Sequence, residues 1–128
     1  MKIAAKCITS ETEDGAATLG FADDKHETTT YVLIQRDLEP STQDIALGHD
    51  KPYLEVDDQK HSGYGAIKSV TLAGNGLTLY LFPEGAKRLS VDGIIEVSFK
   101  VSKKKWAQIR EQLEFILKSQ DINITIEL

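Results

Sequence analysis

The chain has 128 residues, 41% of them hydrophobic and 27% charged, with a formal net charge of −5. This composition predicts one soluble domain spanning residues 1–128, and no apolar run approaches the length of a membrane span. The acidity is uneven: residues 1–64 carry six Lys/Arg against thirteen Asp/Glu, and residues 65–128 nine against seven, so the first half either repels nucleic acid and attracts basic partners or simply keeps the domain soluble.

The N-terminal MKIAAKCITS has too short an apolar run for a signal peptide. Lys6 beside Cys7 also argues against a lipoprotein box, and a lone cysteine suits a reducing cytoplasm. Residues 2–8 predict a strand in which Cys7, alternating with Ile8, is a small buried hydrophobe. ETEDG, residues 11–15, predicts an acidic turn, and residues 17–22 a second strand. DDKHETT, residues 23–29, is a polar loop. TYVLIQR, residues 30–36, is rich in β-branched and aromatic types and predicts a buried strand. Pro40, Ser41 and Thr42 break the chain into a loop. A short apolar piece, a turn from Gly48 to Pro52 and a strand over 53–57 follow. On that strand Glu55 and Asp57 share a face with Tyr53, while Leu54 and Val56 point inward.

Residues 64–73 predict one strand and 77–82 its return, joined at Asn75-Gly76, a pair that tolerates the positive φ of a tight hairpin. Pro83 and Glu84 mark the start of a short helix. Residues 94–101 alternate as a strand. A longer helix is expected over 103–118, with Ser102 as N-cap and an apolar stripe of Trp106, Ile109, Leu113, Ile116 and Leu117. The tail DINITIEL alternates Ile122, Ile124, Ile126 and Leu128 with polar residues, a pattern that adds a strand to its own sheet or to a partner's. The expected fold class is α+β: a mostly antiparallel β-sheet with one short helix and one long C-terminal amphipathic helix packed on it.

Little in the sequence supports catalysis. HSGYGAIKSV, residues 61–70, has the glycines and the Lys-Ser pair of a phosphate loop, but the spacing is wrong and a strand follows where a helix is required. His26, His49 and His61 each have acidic neighbours, without a recognised metal-ligand spacing. Cys7 has no histidine near it in sequence, and His61 and Ser62, adjacent on a strand, point to opposite faces. Lys103, Lys104 and Lys105 predict a solvated helix end rather than a nucleic-acid site. No catalytic, cofactor-binding or metal-binding residue is assigned. A small metal- or ligand-dependent enzyme using the loop His and Asp residues is the alternative to a binding protein. Asp50, Glu55, Asp57 and Asp58 surround Tyr53, a pattern read either as an interface patch or as an ordinary solvent-facing strand edge.

Several of these pieces recur together. Leu33-Ile34-Gln35-Arg36, Gln43-Asp44-Ile45-Ala46-Leu47-Gly48, Tyr53-Leu54-Glu55, Gln59, Tyr64-Gly65 and the leucine-rich hairpin ending in Phe82-Pro83-Glu84, with the helix after residue 102, resemble the immunity protein 10 family of bacterial polymorphic toxin systems over residues 30–118. The resemblance implies a non-catalytic cytoplasmic protein; whether it is a monomer or homodimer stays open in the sequence. Such a protein binds and blocks a cognate toxin domain, here expected to be basic, with no cofactor and no nucleic-acid or membrane partner. The expected partner surface is Tyr53, Glu55, Asp57, Asp58, His61 and Tyr64, with Gln43, Asp44, His49 and Asp50 on the preceding loop. The same loop residues also fit a scaffold role, bonding the loop to itself.

Overall fold

The computed structural model describes residues 1–118 and 122–127; Asp121 and Leu128, the ends of the expected tail alternation, lie outside the described residues. Among the described residues, ten strands form two five-stranded sheets. The first is an antiparallel meander in chain order: β2 (Cys7–Glu13), β3 (Ala16–Ala22), β4 (Tyr31–Asp37), β5 (Tyr53–Val56) and β6 (Asp58–Tyr64). The second is mixed. Its centre is the antiparallel run β7 (Ile67–Ala73), β8 (Gly76–Leu81) and β9 (Ile94–Ser98). Both ends of the chain flank that run: β1 (Lys2–Ala4) pairs parallel to β9, and β10 (Asn123–Glu127) pairs parallel to β7. Three helices complete the α+β architecture: α1 (Thr42–Ala46), α2 (Pro83–Leu89) and α3 (Lys103–Leu117).

Two strands expected to be continuous are each divided between the sheets. Over residues 2–8 the break falls at Ala5 and Lys6. The Ala5 amide donates to Ser98 O in the mixed sheet, and the next amide, of Lys6, donates to Ala22 O in the meander. Ile3 is buried from the mixed sheet, while Ile8 packs partly buried against the same core. Cys7, paired with Ala22, takes the outward position and is half-buried rather than buried. Over residues 64–73 the break is Gly65, whose φ of +71° suits a residue without Cβ. The chain leaves the meander at Tyr64 and enters the mixed sheet at Ile67.

The turns differ too. Only Asp14 and Gly15 of ETEDG turn, both with positive φ, and Glu11–Glu13 continue β2. The β7–β8 loop is Gly74-Asn75, one residue earlier than expected, and neither Asn75 nor Gly76 adopts positive φ. Gly76 serves a close approach instead: a Cβ there would lie 2.7 Å from Val97 O.

Apolar side chains from both sheets enter one buried cluster: Leu19, Phe21, Val32, Ile34 and Leu54 from the meander, and Val70, Leu72, Leu77, Leu79, Ile95 and Val97 from the mixed sheet. Phe21 stacks on Phe99 with ring centroids 6.0 Å apart. α3 starts as expected, with the Ser102 hydroxyl accepting from the Lys105 amide at 3.1 Å. It adds Ile109, Leu113, Ile116 and Leu117 to the core, each fully buried aliphatic contributing about 1.5–3 kcal/mol. α3 also bonds both sheets. Trp106 Nε1 donates to Ala73 O at 2.8 Å, and Gln112 Nε2 donates to Glu11 O at 2.7 Å and Thr18 O at 3.1 Å. Pro83 opens α2 with Glu84 in its first turn, as expected. No helix of the described residues is long and apolar enough to cross a membrane.

Candidate partner-binding surface

The meander presents one face to the core and the other outward, and strand pairing fixes which residues share the outward face. One cross-strand row runs Thr9, Gly20, Leu33, Glu55, Ser62; the next runs Glu11, Thr18, Gln35, Tyr53, Tyr64. Their neighbours Val32, Ile34, Leu54 and Leu19 are fully buried on the other side. α3 packs against that inward side, where Arg36 donates to Phe115 O at 2.9 Å.

Glu55 is the centre of the outward face. Its strand position points away from the core, yet it is only 9% exposed. The hydroxyls of Tyr31 and Tyr53 both donate to its carboxylate, at 2.5 Å each. Tyr53 reaches it along its own strand and Tyr31 diagonally across β4 and β5. Burial first, and then the bond to Glu55, push both phenol groups above their ordinary pKa. Tyr64 continues the aromatic group: its ring lies 5.3 Å from Tyr53 and stacks on His49 at 4.4 Å.

His49 reaches that position because of α1. Pro40, Ser41 and Thr42 predict a loop followed by a short apolar piece, and the structure folds Thr42–Ala46 into one helical turn. Ser41 is the N-cap of a capping box: the Asp44 amide donates to Ser41 Oγ and the Ser41 amide to Asp44 Oδ2, both at 3.0 Å. These bonds hold the Asp44 carboxyl below the usual carboxylate range. The His49 amide donates to Asp44 O at 2.8 Å, and its Nδ1 lies 4.0 Å from Asp44 Oδ1. α1 buries none of its residues; Ile45 is 53% exposed and Leu47, just beyond it, 61%.

The ten expected interface residues therefore divide, and one of them, Gln43, is exposed on α1. Asp44, His49, Tyr53, Glu55 and Tyr64 form one contacting group at the α1 end, and Asp50 adjoins His49 in the same loop. Asp57 and Asp58 lie at the far end of β5. Asp57, with φ +63°, does not share the strand face of Tyr53: its Oδ1 takes bonds from Thr30 Oγ1 at 2.5 Å and the Tyr31 amide at 2.8 Å, which fixes the start of β4. Asp58 Oδ1 accepts from the Lys60 amide, and His61 is half-buried on β6 beside a register shift.

The reading of residues 30–36 as a buried strand missed Tyr31, Leu33 and Gln35. All three are half-buried on the outward face, between Val32 and Ile34, which are buried. The signal was present as a period of two in which Tyr and Gln, each with a polar end, alternate with Val and Ile. Among the described residues, no three His, Cys, Asp or Glu side chains converge to hold a metal ion. The half of the sequence that carries the acidic excess ends at Tyr64, where the meander also ends. Of its thirteen Asp/Glu, five stand on meander strands (Glu11, Glu13, Asp37, Glu55 and Asp58) and the other eight on the turns, loops and short helix α1 that join those strands.

The sequence model of the family described as Immunity protein 10 matches residues 3–107, from β1 into the first turns of α3. The chain belongs to the immunity protein 10 family. The match begins well before residue 30, where the resemblance read from the sequence started, and so includes β2 and β3. No curated protein matches the chain.

Proposed function

We propose that this chain acts as one domain that binds a bacterial toxin domain in the cytoplasm and neutralises it by covering it, without catalysis of its own. The family match over residues 3–107 carries this reading. The concentration of acidic residues in the meander supports the electrostatic half: a surface of one sign speeds encounter with a partner of the other and fixes its register. We assign the partner surface to Asp44, His49, Asp50, Tyr53, Glu55 and Tyr64, with Asp58 and His61 at its margin and Asp57 supporting it through β4. Tyr53 and Tyr64 are the aromatic anchors, because large side chains already held by stacking lose little entropy when a partner covers them. Co-expression with the toxin encoded by the adjacent gene tests the reading. Growth should be restored relative to cells carrying the toxin alone; continued killing at equal expression would refute it.

A further inference from the structure

We propose that the docking surface extends beyond β5 across the whole outward face of the meander to β2, and that its occupant is a basic protein surface laying an apolar side chain, flanked by Lys or Arg, over Gly20. The proposal rests on the toxin-binding reading and deepens it. The surface assigned above ends at β5 and β6; the additional face is built from β2, β3 and β4.

Three observations carry the extension. First, the face has a floor. The row Thr9, Gly20, Leu33 runs directly into Glu55, and Gly20 contributes no side chain. The result is a shallow open groove lined by Thr9, Gly20, Tyr31 and Leu33, with Thr28 at its margin. A groove that is open rather than enclosed fits a protruding side chain of another protein better than a small molecule, which needs to be surrounded.

Second, the charge has one sign. The outward positions of β2 to β5 hold no Lys or Arg, whereas Glu11, Glu13, Asp37 and Glu55 stand there. The one arginine of these strands, Arg36, is turned inward to α3. The outward face of the mixed sheet is different: there Lys2 lies 3.7 Å from Glu96 across β1 and β9, so the charges offset each other within the sheet. Among the described residues, the outward positions of β2 to β5 thus hold carboxylates and no cation, and the one lysine of the meander strands, Lys60, lies on β6 at the far edge. That charge complements a basic partner and repels nucleic acid.

Third, the deepest carboxylate is already held. The Tyr31 and Tyr53 hydroxyls orient Glu55 at the end of the groove. Glu55 is only 9% exposed, so it acts on a partner cation through a charge fixed beneath the two tyrosines rather than by direct contact.

The test is binding of the purified toxin domain from the adjacent gene to matched charge variants. Glu11→Lys and Leu33→Arg alter the meander face; Glu127→Lys makes the same charge change as Glu11→Lys, on the outward side of β10. Thermal unfolding checks that each variant is folded, and if Leu33→Arg is not, exposed Glu11→Lys decides alone. Glu11→Lys and Leu33→Arg should each weaken Kd at least about tenfold, through like-charge contact, and Glu127→Lys should stay within about twofold of wild type. Wild-type binding that both meander variants preserve would overturn the extended face and leave the toxin-binding reading intact. Loss of binding by Glu127→Lys equal to that of Glu11→Lys would overturn it as well, by making net charge rather than the face decisive. A wild-type chain that binds no toxin would remove the reading on which the proposal rests.

Discussion

Glu55 occupies a position that alternation in the sequence marks as solvent-facing, and its face was read correctly from Tyr53-Leu54-Glu55. Its burial was not legible, because it comes from Tyr31, far away in sequence and brought close only by the pairing of β4 with β5. Replacing Glu55 by Ala leaves two half-buried phenols without their acceptor, at a cost of about 1–3 kcal/mol. The urea midpoint of Glu55→Ala should fall accordingly. Spectrophotometric titration should also show Tyr31 and Tyr53 ionising at lower pH than in wild type, since the carboxylate raises both. An unchanged midpoint with unchanged tyrosine titration would contradict the assigned bonds. Gly65 is the second residue on which much depends. Its backbone is left-handed, and a Cβ would sit 3.1 Å from Lys51 Cδ. Gly65→Ala should cost about 1–2 kcal/mol in the same assay; a neutral result would show that the chain crosses between the sheets in another conformation.

At the scale of elements, periodic patterns found most of the strands and both longer helices, but not where strands end. Residues 2–8 and 64–73 keep their alternation across a break, because the same inside-outside pattern serves either sheet. Only the hydrogen-bond partners of Ala5, Lys6 and Gly65 reveal the change. Gln112 escaped the apolar stripe read for the long helix because a polar residue can be buried there only by bonding the backbone of β2 and β3, which lie about a hundred residues earlier. α1 was hidden for a related reason: one turn of helix is too short to show a period, although Ser41 and Asp44 spell its cap. That cap is testable by pH. Asp44 has a depressed pKa, so the stability it contributes is present above the ordinary carboxylate value near 4 and is lost as pH falls through the lower folded value. Carbon-detected NMR should place the Asp44 titration below that of an unstructured aspartate, and Ser41→Ala should return it towards that value. An ordinary Asp44 titration in the native chain would exclude the capping box.

On the scale of the whole molecule, the acidic first half of the sequence builds the meander sheet and the loops that join its strands, with an outward face that carries tyrosines and carboxylates over a small-residue floor. The charge imbalance was legible from composition; that it falls on one sheet and its connecting loops was not, because the boundary at Tyr64 sits inside what alternation presents as one strand. The group at the α1 end also needed the fold, since His49 meets Tyr64 across a loop and two strands. On the proposed reading, a docking face built from such a sheet opposes a toxin by occupying the surface the toxin needs. The most direct measurement is calorimetric titration of the purified chain with the purified toxin domain of the adjacent gene, at several salt concentrations. The account predicts saturable one-to-one binding whose affinity falls as salt rises, because opposite charges meet at the interface. Absence of binding at micromolar concentrations, or binding that strengthens with salt, would contradict it.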